Sequence, residues 1–214
     1  MAIRCLIFDC DGVLVDSERL GIVAFADAFA PLGAVLSVDD CLAQYRGWQL
    51  AAMIEDVERR CAVKTDDNFV ARYRALERAL FETDLQPIPG VREMLDALFL
   101  PKCVASSGPP AKIRHSLQLT GLAPHFGQNV FSAYDINRWK PAPDLFLHAA
   151  HHMGFAPAAC AVIEDSHVGV MAGLAAGMRV FQYAPDSGEI HAGAVRLREM
   201  AELPELLLEM GIAL

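Results

Sequence analysis

Five short runs rich in apolar and β-branched residues, each closed by a turn signal, constrain this chain more than any other feature. They cover residues 3–8, 102–105, 129–131, 161–163 and 179–183. Several are almost wholly apolar, as parallel strands covered on both faces must be. Helical patterns separate the later runs, at residues 111–119, 144–153 and 166–176. Strand, helix, strand in repetition predicts a doubly wound α/β sheet. The stretch from residue 17 to residue 85 reads differently. It shows only helical periodicity, as in Leu20, Val23, Ala24, Asp27 and Ala28, then Met53, Ile54 and Val57, then Tyr73, Leu76 and Leu80. The segment Gln86-Pro87-Ile88-Pro89-Gly90 closes it, because two prolines and a glycine cannot continue a helix. The expected organisation is an α/β core made of residues 1–16 and 86–214, with a helical lobe, residues 17–85, inserted after the first strand.

Composition narrows the function. The 214 residues suffice for one core carrying an inserted lobe. A formal charge of −9 argues against nucleic acid or an anionic membrane as partner, since both require a basic surface. The 54% hydrophobic content excludes disorder, and no apolar run is long enough to span a bilayer. The first eight residues lack the charged start and long apolar stretch of a secretion signal. Six cysteines are scattered without paired spacing, which predicts reduced thiols in a cytoplasmic protein. The expected partner is a small molecule, and the assembly a monomer or homodimer.

The polar residues with chemical potential stand at the ends of the strand runs. The first run leads into Asp9-Cys10-Asp11-Gly12, the second into Ser106-Ser107-Gly108, the third through a loop to Lys140-Pro141, and the fourth into Glu164-Asp165. In a parallel sheet these ends converge where ligands bind. Each residue type has a role if the ligand is a phosphate ester. Asp9 can attack phosphorus and form an acyl phosphate. Attack of one anion on another needs neutralisation, which a divalent cation on Asp9 and Asp165, together with Lys140, would provide. Magnesium suits oxygen ligands and retains waters. Asp11 can protonate the leaving oxygen and later activate water, while its carbonyl faces the metal. Ser106 offers a hydroxyl to a phosphoryl oxygen, and the backbone N–H groups of Cys10 and Ser107 can cradle the others.

At these residues the chain resembles a known family. LIFDCDGVLVDSE (residues 6–18) is similar to the first motif of the haloacid dehalogenase superfamily. VASSG (104–108) resembles its serine/threonine motif, WKPAPD (139–144) its lysine motif, and VIEDSHVGVMAGLAAGM (162–178) its acidic motif. The helical insert resembles the cap lobe of the phosphoglycolate phosphatase and β-phosphoglucomutase branch. The resemblance implies a magnesium-dependent phosphatase with a Rossmann-like core, Asp9 as nucleophile and Asp11 as acid/base. Ser106 and Lys140 would bind the phosphoryl group. Magnesium would lie on Asp9, the Asp11 carbonyl and Asp165, with Glu164 close by or reaching it through water. It also implies a cap that opens and closes over the substrate.

Other readings were weighed against this one. Alone, Asp-x-Asp-Gly is a common turn; three further motifs in order remove that reading. A dehalogenase has no use for Asp11 as a proton donor. Mutases of the branch carry a histidine in the early cap helix, where this chain reads Ser17-Glu18-Arg19-Leu20-Gly21, and an arginine after the cap glycine, where it reads Gly47-Trp48. A binding protein without activity would have lost Asp9, Asp11 or Lys140. Asp16 or Ser17 is expected to cap the first inserted helix. His151 and His152, adjacent on a helix, do not share a face and are not a zinc pair. Lys112 and His115 are expected to be solvated. Residues 131–150 and 103–117 resemble bacterial 6-phosphogluconate phosphatases, so a small phosphorylated sugar or sugar acid is the expected substrate, 6-phosphogluconate first. A carboxylate in the substrate requires a cation, for which Arg46 is preferred over Arg72 and Arg74.

Overall fold

The computed structural model describes residues 2–45, 47–185 and 188–214. The chain divides into two compact units, Met1–Val15 with Gln86–Leu214, and Asp16–Leu85. The first unit contains β1 (Cys5–Phe8), β2 (Lys102–Ser106), β3 (Val130–Ser132), β4 (Cys160–Glu164), β5 (Arg179–Tyr183) and β6 (Val195–Leu197). They form one sheet in the order β3-β2-β1-β4-β5-β6, and every pairing is parallel. The α/β class expected from the strand runs is the observed one. The first strand lies at the centre because its four residues are all buried and need covering on both faces. From β1 the chain builds outward through β2 and β3 on one side, then returns to build β4, β5 and β6 on the other. β1 is therefore the point where the strand order reverses, and its carboxyl end is the natural ligand crevice.

The sheet has one strand more than the sequence patterns announce. β6 is three residues long, contains Arg196, and pairs only through β5 at the sheet edge. So short an edge strand buries one face of few residues and leaves no apolar run to read. The packing of Cys5, Ile7, Cys103, Ala105, Val162 and Val180 with Leu145, Phe146, Ala149 and Val170 forms one core cluster against the sheet. The helices contributing to this unit are α5 (Val91–Ala97), α6 (Pro110–Leu119), the single turns α7 (Ala123–Phe126) and α8 (Ala133–Ile136), then α9 (Asp144–His152), α10 (His167–Ala175) and α11 (Leu203–Glu209). All six cysteines are free thiols. Among the described residues no helix is long and apolar enough to cross a membrane.

The second unit contains α1 (Glu18–Phe29), α2 (Val38–Tyr45), α3 (Leu50–Cys61) and α4 (Phe69–Asp84). Its core is aromatic. Phe25 meets Phe29, Tyr45 and Tyr73 edge-on at 5.0, 6.0 and 6.1 Å between ring centroids, and Phe29 packs on Phe69 at 4.4 Å with the rings tilted by 52°. Of the residues that mark the helical period, Ala24, Ala28, Met53, Val57 and Tyr73 are buried, and the bulky rings join them. α1 buries Ile22, Ala24, Phe25, Ala28 and Phe29, while Asp27 is exposed. α4 buries Phe69, Tyr73, Glu77 and Phe81, while Leu76 is exposed. Alanines and leucines fit several registers of a helical wheel; the bulky rings choose among them because they bury the most area. Ser17 stands at the N-cap position of α1 but makes no side-chain cap hydrogen bond, contrary to expectation. Asp16 lies outside the helix and is exposed.

Two buried carboxylates hold this unit together. Asp56 of α3, only 7% exposed, accepts from the Tyr45 hydroxyl at 2.8 Å and from Gln44 at 2.9 Å, and pairs with Arg59 and Arg60. Glu77 accepts from the Tyr73 hydroxyl at 2.8 Å and pairs with Arg74 at 2.7 Å. Asp56→Ala leaves the buried Tyr45 hydroxyl and two arginines without their common acceptor. It should cost about 3 kcal/mol, read by urea denaturation followed at the helical signal. Asp39→Ala removes the solvent-exposed pair with Arg19 and should cost no more than about 0.5 kcal/mol. Equal effects would deny Asp56 its role.

Candidate active site

The carboxyl ends of β1, β2 and β4 and the loop that follows β3 bring the four sequence motifs of the core together. Asp9 follows β1 directly, and its backbone N–H donates to Ile163 O at 3.0 Å, so the strand pairing itself aims the side chain. Asp11 and Gly12 form the turn that follows, closed by Gly12 N to Val15 O at 2.9 Å. Gly12 has φ of 76°, and a Cβ there would stand 2.7 Å from Asp165 Oδ2. Both the left-handed backbone and the close approach of Asp165 require glycine. Cys10 is buried, its carbonyl accepts from Leu14 and Val15, and burial pushes its thiol well above the ordinary range, so it stays protonated.

Lys140 is the hub. Its Nζ lies 2.7 Å from Asp9 Oδ1 and 2.7 Å from Glu164 Oε1, and the side chain is 3% exposed. The ammonium also sits 4.9 Å from the centroid of the Phe146 ring, a favourable cation–π distance. Burial alone would lower the Lys140 pKa; the flanking carboxylates outweigh it and hold the group above its usual range. Burial pushes Asp9 up to about 7 against the pull of Lys140, and the charge of Glu164 adds to the rise.

Glu164 is pinned from three sides. Besides Lys140, its carboxylate accepts from Ser166 N at 2.6 Å and Ser166 Oγ at 3.0 Å. Ser166 in turn caps α10 by accepting from Gly169 N at 3.1 Å. Asp9, Glu164 and Asp165 form a buried group whose ligand oxygens all lie within 4.8 Å of one another. With all three carboxylates ionised, as on binding a cation, the Lys140 ammonium leaves an excess of two negative charges. Hard oxygen donors with that excess fit a hard dication such as magnesium.

The remaining expected residues take their places nearby. Ser106 is buried at the end of β2, and its Oγ accepts from Gly108 N at 3.1 Å, leaving its proton to donate elsewhere. The Gly108 carbonyl is held by Ser132 Oγ at 2.6 Å. A Cβ on Gly108 would lie 3.5 Å from Ser106 Oγ and 3.7 Å from Asp11 Oδ2, so these two functional groups flank one backbone position. Ser107 is half-buried beside them. The Asp11 carboxylate pairs with Lys112 Nζ at 3.1 Å and does not join the buried three-carboxylate group. Lys112 was expected to be solvated; the first turn of α6 instead brings it to Asp11. No sequence signal links residues 101 positions apart. Ser166 was legible, as a polar residue just before a helical run. Arg72 pairs with Asp66 at 2.8 Å and Arg74 with Glu77, both within the helical unit. Arg46 lies outside the described residues. His115 is half-buried on α6.

A parallel sheet with an Asp at its central strand end, a Lys bridging it to a Glu, and an Asp beside them defines a class of hydrolase. The chain belongs to the haloacid dehalogenase-like hydrolases, whose family signature matches residues 3–177. It is 35% identical to the 6-phosphogluconate phosphatase of Escherichia coli (strain K12), over 98% of this chain and 96% of that one. It is 34% identical to hexitol phosphatase A of the same organism, over 83% of this chain and 82% of the relative. Among solved structures it matches a conserved haloacid dehalogenase-like protein of unknown function from Agrobacterium tumefaciens str. C58. That match has a TM-score of 0.83 and 29% identity, and covers 98% of this chain and 100% of the other.

Proposed function

We propose that this chain is a magnesium-dependent phosphatase that hydrolyses a small phosphorylated sugar or sugar acid through a phospho-aspartate intermediate. The observation that carries the reading is the Lys140 ammonium held at 2.7 Å from both Asp9 and Glu164, with Asp165 in the same buried group. In this reading Asp9 Oδ attacks phosphorus, a P–O bond forms to Asp9, and the ester P–O bond breaks. Asp11 gives its proton to the departing alkoxide. Water then attacks the phosphorus of the acyl phosphate, Asp11 takes a proton from it, and Asp9 is released with inorganic phosphate. Lys140 and the Ser106 hydroxyl hold phosphoryl oxygens, and the Cys10 and Ser107 N–H groups serve the same anion. A dication on Asp9, Asp165 and the Asp11 carbonyl, with Glu164 beside it, would neutralise charge on the transferring group. Lys112 keeps the Asp11 carboxylate at the mouth of the β2 turn.

The relatives' names, 6-phosphogluconate phosphatase and hexitol phosphatase A, support a phosphorylated sugar or sugar acid as substrate. 6-Phosphogluconate is the leading candidate. Its carboxylate needs a cation in a closed site. Arg46, beside Gly47, is our first choice for that cation ahead of Arg72 and Arg74, which pair with Asp66 and Glu77, and in this reading the helical unit acts as the cap. The expected result is magnesium-dependent release of phosphate with kcat/KM for 6-phosphogluconate above those for glucose 6-phosphate and phosphoglycolate. Arg46→Ala should lower the first roughly tenfold or more and spare glucose 6-phosphate. Equal losses on all three substrates would remove the carboxylate-reading role. Absence of magnesium-dependent hydrolysis of any of them, or of p-nitrophenyl phosphate, would overturn the phosphatase reading itself.

A further inference from the structure

Histidine chemistry is unused by this mechanism, yet α9 carries three histidines in its last five residues. His151 and His152, adjacent in sequence, stand with their rings at 87° and 5.7 Å between centroids, which is no chelating arrangement. His148 and His152 differ. They are four residues apart, so 3.6 residues per turn places them on one face. Their ring centroids are 4.2 Å apart, tilted by 52°. Phe131 of β3 walls both rings, 5.6 Å from each. A side chain from another element thus restrains the two rings together.

We propose that His148 and His152 chelate one transition-metal dication of the imidazole-preferring class, Zn2+, Ni2+ or Cu2+, through one ring nitrogen each. Metal–nitrogen bonds of about 2.0–2.1 Å bring two imidazole centres on one ion to roughly 4.5–5 Å. The observed pair is within about 1 Å of that spacing, a shift that side-chain rotation supplies. Water completes the coordination, since His152 is exposed. The site is chemically orthogonal to the buried carboxylates of Asp9, Glu164 and Asp165. Carboxylate oxygen suits magnesium; imidazole suits the later first-row metals. It is also independent of the reaction assigned above, because none of its residues belongs to the strand-end motifs.

The test is titration of untagged protein with Ni2+ in a large excess of Mg2+, the bound nickel being counted by equilibrium dialysis. Magnesium occupies oxygen sites and does not compete for imidazole. One Ni2+ per chain should remain bound. His148→Gln and His152→Gln should each weaken it at least tenfold, and His151→Gln should leave it within about twofold. His191→Gln serves as a second control, because His167 and His191 form another close pair at 5.2 Å, drawn from different elements. If His148→Gln fails to fold, the exposed His152→Gln decides. No magnesium-resistant nickel binding, or a loss in His151→Gln or His191→Gln as large as that in His152→Gln, overturns the proposal.

Discussion

Asp9→Asn should reduce the turnover of p-nitrophenyl phosphate by about 10^4-fold or more, because an amide cannot form the acyl phosphate. The same substitution should not unfold the chain. Asparagine keeps the shape of the side chain, and Lys140 retains Glu164 at 2.7 Å. In metal-free protein it should even stabilise, and the pH dependence follows from the sign of the shift. Burial raises the Asp9 carboxyl from 3.8 to about 7. Between those values the folded chain binds a proton that the unfolded chain has released. Stability therefore falls as pH rises from about 4 through 7. Asn carries no such titration. Denaturation in the presence of a chelator should show Asp9→Asn ahead of the wild type at pH 8, with the gap closing towards pH 4. A wild type more stable than the variant at pH 8 without metal would mean that Lys140 outweighs desolvation at this site. Substantial turnover by the variant would end the nucleophile assignment.

Gly169→Ala should produce the second large effect, through a residue that makes no chemistry of its own. A Cβ at Gly169 would lie 1.7 Å from Glu164 Oε1 and 1.9 Å from its Cδ. A free carboxylate could swing aside. This one is bonded to Lys140 and to the N–H and hydroxyl of Ser166, so moving it breaks all three contacts at once. The expected cost is about 2–3 kcal/mol of stability and a loss of magnesium-dependent kcat of roughly 100-fold or more. Gly173→Ala is the control on the same helix. Its Cβ would meet a Val180 methyl at 2.8 Å, which strains helix–sheet packing without touching Glu164. It should lose stability and keep its kcat. Equal activity losses in the two variants would show that Gly169 acts only through packing.

How far the site could be read in advance depends on what kind of information each residue carries. Asp9, Ser106, Glu164 and Asp165 follow strand runs directly, and a parallel sheet must gather such ends at one edge. Their meeting is a consequence of chain order and strand polarity, both of which are written locally. Gly12 was legible for the same reason, as the turn residue four places beyond a strand. The α/β class rests on short continuous apolar runs and the helical insert on the 3.6-residue period, both of which are also local.

Local patterns along the chain carry five of the six strands of the sheet, their order, and the residues standing at the strand ends. Which of these residues touch is set by packing between distant segments. Lys140 bonds Asp9 across 131 positions and Glu164 across 24, and Lys112 bonds Asp11 across 101. No periodicity encodes such pairs, because a long flexible side chain reaches in many directions until packing removes all but one. The helix faces of the inserted unit were decided in the same way. Leu20, Leu76 and Leu80 satisfy a helical period as well as Phe25, Phe29, Phe69 and Tyr73 do. The ring contacts among the aromatics, with Asp56 and Glu77 buried beside them and paired, set the rotation of each helix. β6 is defined by its pairing to the edge of β5, and its three residues are too few to carry a strand pattern. Local preference names the parts; burial of large surfaces and satisfaction of buried charge, which act only between distant segments, choose the arrangement.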